Sequence, residues 1–234
     1  MQLNRFAEAI PALEKAIPNL LVSFDSRMDL AFCLAATGRY EEAAKAYDQA
    51  FDDSLAFQSP VDAQQQYRRL LLAAHLGNTE VLTEGMSQLL LEAENAEELR
   101  LCYHAALSAV TLPGPVTDWA AVRRMSETAV RLQPDSSTQN VAALAVYRSG
   151  DFAKAVPALQ ARLQQASEDP APTVKLVLSM ALRRTGDASA ADMMLRAGRE
   201  AVQLELNQQN LQWDRALQLQ ILLREAELAA ENKQ

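Results

Sequence analysis

The chain has 234 residues, 49% of them apolar, with 22 Lys and Arg against 30 Asp and Glu, for a formal charge of −8. The apolar content excludes a disordered chain, the acidic balance disfavours a phosphate backbone as partner, and no apolar run approaches the ~18–20 residues of a membrane span. Ala and Leu dominate the apolar set and Gln, Glu and Arg follow, all strong helix formers. Seven Gly and nine Pro fall mostly between periodic segments, the pattern of helices joined by short turns.

In chain order, residues 4–18 read as the second helix of a pair whose first is missing, so the chain starts inside a repeat. Residues 24–37 and 40–53 form a helical pair. Ser59-Pro60 is a turn, and Asp62 is placed to cap the next helix, its carboxylate accepting from the free N–H groups of the first turn. Residues 62–76 and 79–94 form a second pair, and a helix over 96–111 ends at Pro113-Gly114-Pro115, the strongest breaker in the chain. Thr117 or Asp118 caps a helix through Leu132, and Asp135 or Ser136 opens one to Ser149. A helix over 151–167 follows, then the extended linker Asp169-Pro170-Ala171-Pro172. Residues 173–185 and 187–207 form the last pair, and Trp213–Glu231 is a terminal helix expected to cover the open end of the stack.

These elements repeat. Phe6 aligns with Tyr40, Ala9 with Ala43, Leu13 with Tyr47 and Ala16 with Ala50, every offset being 34. Gly150-Asp151-Phe152-Ala153-Lys154-Ala155-Val156-Pro157 is a further copy, with Pro157 where Pro11 stands. Gly186-Asp187 opens another, and Gly77-Asn78 a decayed one. Two antiparallel helices and two turns use about 34 residues, and no such unit buries its apolar face alone, so neighbours must stack. The Gly after each first helix suits a position of positive φ.

The pattern Leu30-Ala31, Leu34, Gly38, Tyr40, Ala43, Tyr47, Ala50 resembles a tetratricopeptide repeat. The resemblance is good over 24–57, good to fair over 136–166 and 172–201, and weak over 62–91 and 103–134. It implies an all-α, right-handed superhelix of antiparallel helix pairs with a C-terminal capping helix. One domain over 1–234 is expected, with 112–116 as the alternative boundary. Towards the C-terminus, Tyr147–Phe152, Lys175–Ala181, Trp213-Asp214-Arg215 and Leu222–Glu227 are similar to the repeat region of planctomycete-type bacterial signalling proteins, which attach such repeats to Ser/Thr kinase or WD40 domains. This chain contains no Gly-rich loop, His-Arg-Asp or Asp-Phe-Gly of a kinase.

Residues with chemistry are few. His75 and His104 have no Cys or His at metal-ligand spacing, and Cys102 and His104, two apart on a helix, face different sides. Cys33 and Cys102 read as buried free thiols, and Trp119 and Trp213 as packing anchors at helix starts. No catalytic residue, cofactor site or metal site is expected. In the family the first helix of each repeat lines the concave groove, which implies Met28, Phe32, Asn140, Tyr147, Arg148, Arg183 and Arg184 as groove residues for a partner. The carboxylate clamp of chaperone-binding members is not matched.

The function implied is a non-catalytic protein-interaction scaffold, holding a partner segment in the groove as part of a bacterial signalling system. An α-helical ligand-dependent regulator or enzyme is the alternative, followed by nucleic-acid binding through Arg68-Arg69, Arg123-Arg124 and Arg183-Arg184. The N-terminus lacks a signal-peptide layout, so a cytoplasmic location is expected. Self-association through the N-terminal half-repeat is a further expectation, because its apolar face needs a cover.

Overall fold

The structure, a computed structural model, describes residues 2–19, 24–57, 61–114, 116–165 and 172–231. The described residues hold twelve α-helices and no strand. In chain order these are α1 (Gln2–Ala16, followed by a 3-10 turn at Ile17–Asn19), α2 (Phe24–Ala36), α3 (Tyr40–Phe57), α4 (Ala63–Leu76), α5 (Thr79–Ala93) and α6 (Leu99–Thr111). Then come α7 (Trp119–Leu132), α8 (Ser136–Arg148), α9 (Phe152–Gln165), α10 (Pro172–Arg184), α11 (Ala188–Leu206) and α12 (Trp213–Glu231). The expected helix at 96–111 instead begins at Leu99, because the Glu98 side chain accepts from the N–H groups of Arg100 and Leu101 and so becomes the cap. Helix α3 runs on to Phe57, past the expected end at 53. The expected turns at Ser59-Pro60, Pro115 and Asp169–Ala171 lie outside the described residues.

The punctuation follows local chemistry. Asp62, Asp118, Asp135 and Asp187 each accept a backbone N–H of the first turn they precede, at 2.7 to 3.0 Å. Each such cap stabilises by about 0.5–2 kcal/mol over alanine. The glycines picked out by the repeat, Gly38, Gly77, Gly150 and Gly186, all have φ between 74° and 90°. An L side chain is strained there, and at Gly77 the left-handed turn lets the Asn78 N–H reach back to the Ala73 carbonyl at 2.8 Å.

Consecutive helices pack antiparallel in pairs, and the first helices α4, α6, α8 and α10 touch one after another to form an inner layer. Alanines at the seams, including Ala31, Ala43, Ala50, Ala105 and Ala129, are fully buried. They let axes approach closely, as the alignment requires. Helix α6 packs on both α7 and α8, across the Pro113–Pro115 segment.

At the N-terminus, Ile10 and Ile17 are buried and Phe6, Ala9 and Leu13 pack on the core through α2. The residues α1 turns outward are small or charged, among them Ala7, Glu8, Pro11 and Lys15.

Helix α12 stacks on α10 and α11 as a further first helix. It also reaches α4 and α6, so it lies along the concave face as well as at the end of it. Trp213, Leu217, Leu219, Leu222 and Ala226 are buried together with Asp214 and Gln218. Burial of each large apolar side chain is worth about 1.5–3 kcal/mol, so α12 belongs to the core.

Candidate functional site

On α12, Asp214, Gln218 and Glu225 share one face, because eleven residues are about three helical turns. Each meets a different first helix. Arg68 of α4 donates its Nε to Asp214 Oδ2 at 2.9 Å, with both side chains 11% exposed. Gln218 Nε2 donates to Thr111 Oγ1 of α6 at 3.4 Å, a long contact inside the core. Arg148 of α8 grips Glu225 with both terminal nitrogens, the Nη2–Oε2 bond being 2.6 Å, and donates its Nε to the Val110 carbonyl at 2.9 Å. Arg215, one residue after Asp214, binds Glu205 of α11, Thr173 of α10 and the Gln218 side-chain carbonyl. The centre of the groove is thus filled by the chain's own helix, held through charge-assisted bonds.

One opening lies at the seam where the N-terminal helices meet the segment before α12. Phe6, Phe32 and Trp213 form an edge-to-face ladder, with centroids 5.5 and 6.2 Å apart. The Arg68 guanidinium sits 4.7 Å from the Phe32 ring centroid, so one cation serves both the ladder and Asp214. Beside the ladder is a cleft of about 580 Å³ reached by Arg5, Phe6, Phe32, Ala36, Tyr40 and the Gln209–Trp213 segment. A second, polar hollow of about 340 Å³ lies between α6, α8, α10 and α12, bordered by Tyr103, Ser137, Asn140, Thr173, Arg215 and Gln218.

The residues implied for the groove take different positions. Phe32 lines the seam cleft, and Arg148 faces the groove but is committed to Glu225. Tyr147 is buried against Phe152, and Met28 is core at 4% exposure. Asn140 borders the polar hollow and accepts from Arg162 Nε at 3.0 Å. Arg183 pairs with Asp192 of α11, and the Arg184 guanidinium lies 5.9 Å from the Phe152 ring centroid. Sequence reasoning passed over Asp214, Glu225, Arg5 and Tyr40 as site residues. The eleven-residue spacing of two acids on a helix that follows a repeat was the available signal.

The paired arginines are mostly matched by carboxylates: Arg68 by Asp214, Arg69 by Asp48, Arg123 by Glu127 and Arg183 by Asp192. Little unpaired positive charge is left for a nucleic acid. Both cysteines are free and buried, and burial pushes their thiols up, away from the thiolate a nucleophile needs. Burial lowers the His104 imidazole, whose Nδ1 lies 2.8 Å from the Arg100 carbonyl. Among the described residues no three His, Cys, Asp or Glu side chains converge on a metal-sized point, and no helix is long and apolar enough to cross a membrane.

An α-solenoid of stacked helix pairs, with a helix-filled concave face and an aromatic cleft at its seam, defines the class: a tetratricopeptide-type superhelix. A family model described as tetratricopeptide repeat matches residues 1–56. The chain is similar to the crystal structure of a tetratricopeptide repeat protein from Parabacteroides merdae, with a TM-score of 0.61 and 14% identity over 97% of this chain and 88% of that one. It is also similar to a thermophilic tetratricopeptide protein of Thermus thermophilus, with a TM-score of 0.50 and 18% identity over 88% of this chain and 99% of that one. No curated protein matches it in sequence. At these identities the likeness is one of fold.

Proposed function

We propose that the chain is a non-catalytic protein-interaction scaffold and that its partner docks on the concave side at the seam cleft, leaving the groove centre to α12. The reading takes residues 1–234 as a single domain, supported by helix packing on both sides of 112–116. The observation that carries it is the division of the concave face. Its centre is closed by α12 through Arg68–Asp214 and Arg148–Glu225, while an aromatic cleft stays open beside Phe32 and Tyr40. Tetratricopeptide folds mediate protein–protein contacts as a class, and aromatic walls with a polar rim suit a protein segment. The burial of both thiols and the pairing of the arginines support binding over chemistry. The bacterial signalling setting rests on the sequence resemblance of the C-terminal segments alone.

The test is a photo-crosslinking residue placed at Ala36 in the cleft or at Lys154 on the outer helix α9, in the full chain within the source cells. A discrete adduct at Ala36 with none at Lys154 supports the reading. Adducts at both sites, or at neither, would sink it.

A further inference from the structure

Of the residues lining the seam cleft, Arg5 is the only charged one. Most other arginines among the described residues have found an acid, as Arg27 has Asp53, Arg39 has Glu42 and Arg199 has Glu227. Arg5 is exposed at the mouth, with no carboxylate partner among the described residues. Around it the cleft offers four aromatic surfaces, Phe6, Phe32, Tyr40 and Trp213, and the side-chain amides of Gln209, Asn210 and Gln212. At about 580 Å³ it has room for a large side chain together with the main chain on either side.

We propose that the seam cleft selects a protein segment in which an aromatic or large aliphatic side chain is followed at once by a carboxylate. This deepens the docking reading above and rests on it. The apolar side chain inserts between Phe6, Phe32 and Trp213, where edge-to-face contact adds to burial. The amides of 209–212 donate to and accept from its main chain. The carboxylate meets Arg5 at the rim, in the two-pronged geometry a guanidinium favours. The chain's acidic surplus does not prevent this. Charges farther off than ~8 Å are largely screened at physiological salt, whereas Arg5 lies within the site.

The test uses the full chain labelled with ¹⁵N and three capped peptides: Ac-Ala-Phe-Glu-Ala-NH2, its Phe-Gln analogue and its Ala-Glu analogue. The chain has two tryptophans, so the Trp213 indole N–H signal is assigned with a single Trp119→Phe variant. The expected result is a Trp213 shift with the Phe-Glu peptide, which binds about two- to fivefold more tightly than Phe-Gln, the range an exposed ion pair supplies. The Ala-Glu peptide leaves the signal in place. Arg5→Gln removes the Phe-Glu advantage without changing Phe-Gln binding, and high salt does the same. Equal affinity for Phe-Glu and Phe-Gln, or equal weakening of both by Arg5→Gln, overturns the carboxylate selection and leaves the docking reading standing. A phosphoserine analogue binding more tightly than Phe-Glu overturns it in favour of phosphate. If no peptide moves the Trp213 signal, the cleft itself is not the docking site.

Discussion

Arg68 and Asp214 stand 146 positions apart in the sequence and meet through one 2.9 Å bond, with only 11% of either side chain exposed. Removing one member leaves a charge in a poorly solvated site. Arg68→Met and Asp214→Leu are each expected to destabilise by about 3–5 kcal/mol, read as the fall in urea midpoint. The double variant is expected to recover much of that loss, because neither charge is then stranded. Additive losses in the double-mutant cycle would show that the two residues are not coupled through this bond.

Gly198 on α11 and Gly85 on α5 predict different outcomes for the same substitution. A Cβ at Gly198 would lie 2.8 Å from Leu176 Cδ2, 3.2 Å from its Cγ and 3.4 Å from its backbone nitrogen. At Gly85 the only close atom is Leu70 Cδ2 at 2.8 Å, the far end of a side chain that can turn. Gly198→Ala is therefore expected to cost about 1–3 kcal/mol of overpacking, against the ~1 kcal/mol that alanine gains in a helix. Gly85→Ala should fall near neutral or gain slightly. Thermal unfolding of the two variants side by side checks the order, and a larger loss at Gly85 would contradict it.

The Tyr67 hydroxyl is buried with no hydrogen-bond partner among the described residues, whereas Tyr47 donates to Gln65 Oε1 at 3.3 Å. Burial pushes both phenols up, so both stay neutral. Tyr67→Phe removes an unsatisfied group and is expected to be neutral or stabilising by about 1 kcal/mol. Tyr47→Phe loses a bond and leaves Gln65 without its donor, so it should cost about 0.5–1.5 kcal/mol. Denaturant midpoints that reverse this order would show that Tyr67 has a partner in solution.

His104 carries a pH dependence whose sign follows from its burial. Its folded value lies below the ordinary 6.5. As pH falls through 6.5 the unfolded chain takes up a proton that the folded chain refuses, so stability declines until the folded imidazole itself protonates. His104→Gln is expected to flatten the fall in melting temperature between pH ~7.5 and ~5.5. The Asp135 carboxylate, lowered chiefly by the Thr138 backbone N–H it accepts, acts only at lower pH, below its ordinary 3.8. An unchanged slope in the variant would mean that other groups govern this window.

The readable parts of the molecule were those governed by neighbours in sequence. Asp62, Asp118, Asp135 and Asp187 could be placed as caps or turn residues because a cap acts within three residues. Gly38, Gly77, Gly150 and Gly186 marked the turns because only a residue without Cβ accepts that φ cheaply. The groove residues were harder. Counting along a first helix finds which way Arg148 faces, but not that Glu225 already fills its fork. The same counting assigned Arg183 to the groove, whereas it turns to Asp192 on α11.

By itself, then, the sequence determined the helices, the repeat that begins with an offset of 34 and the fact that they must stack, since apolar spacing, caps and left-handed glycines all act over one or two turns. Only the tertiary structure decided where α12 goes and what stays open. That depends on how much the superhelix curves, a sum of small rotations at each helix-pair seam. The curvature brings Phe6, Phe32 and Arg68 to Trp213 and Asp214 from the other end of the chain. No local signal encodes such a meeting, because each partner alone reads as an ordinary helical residue.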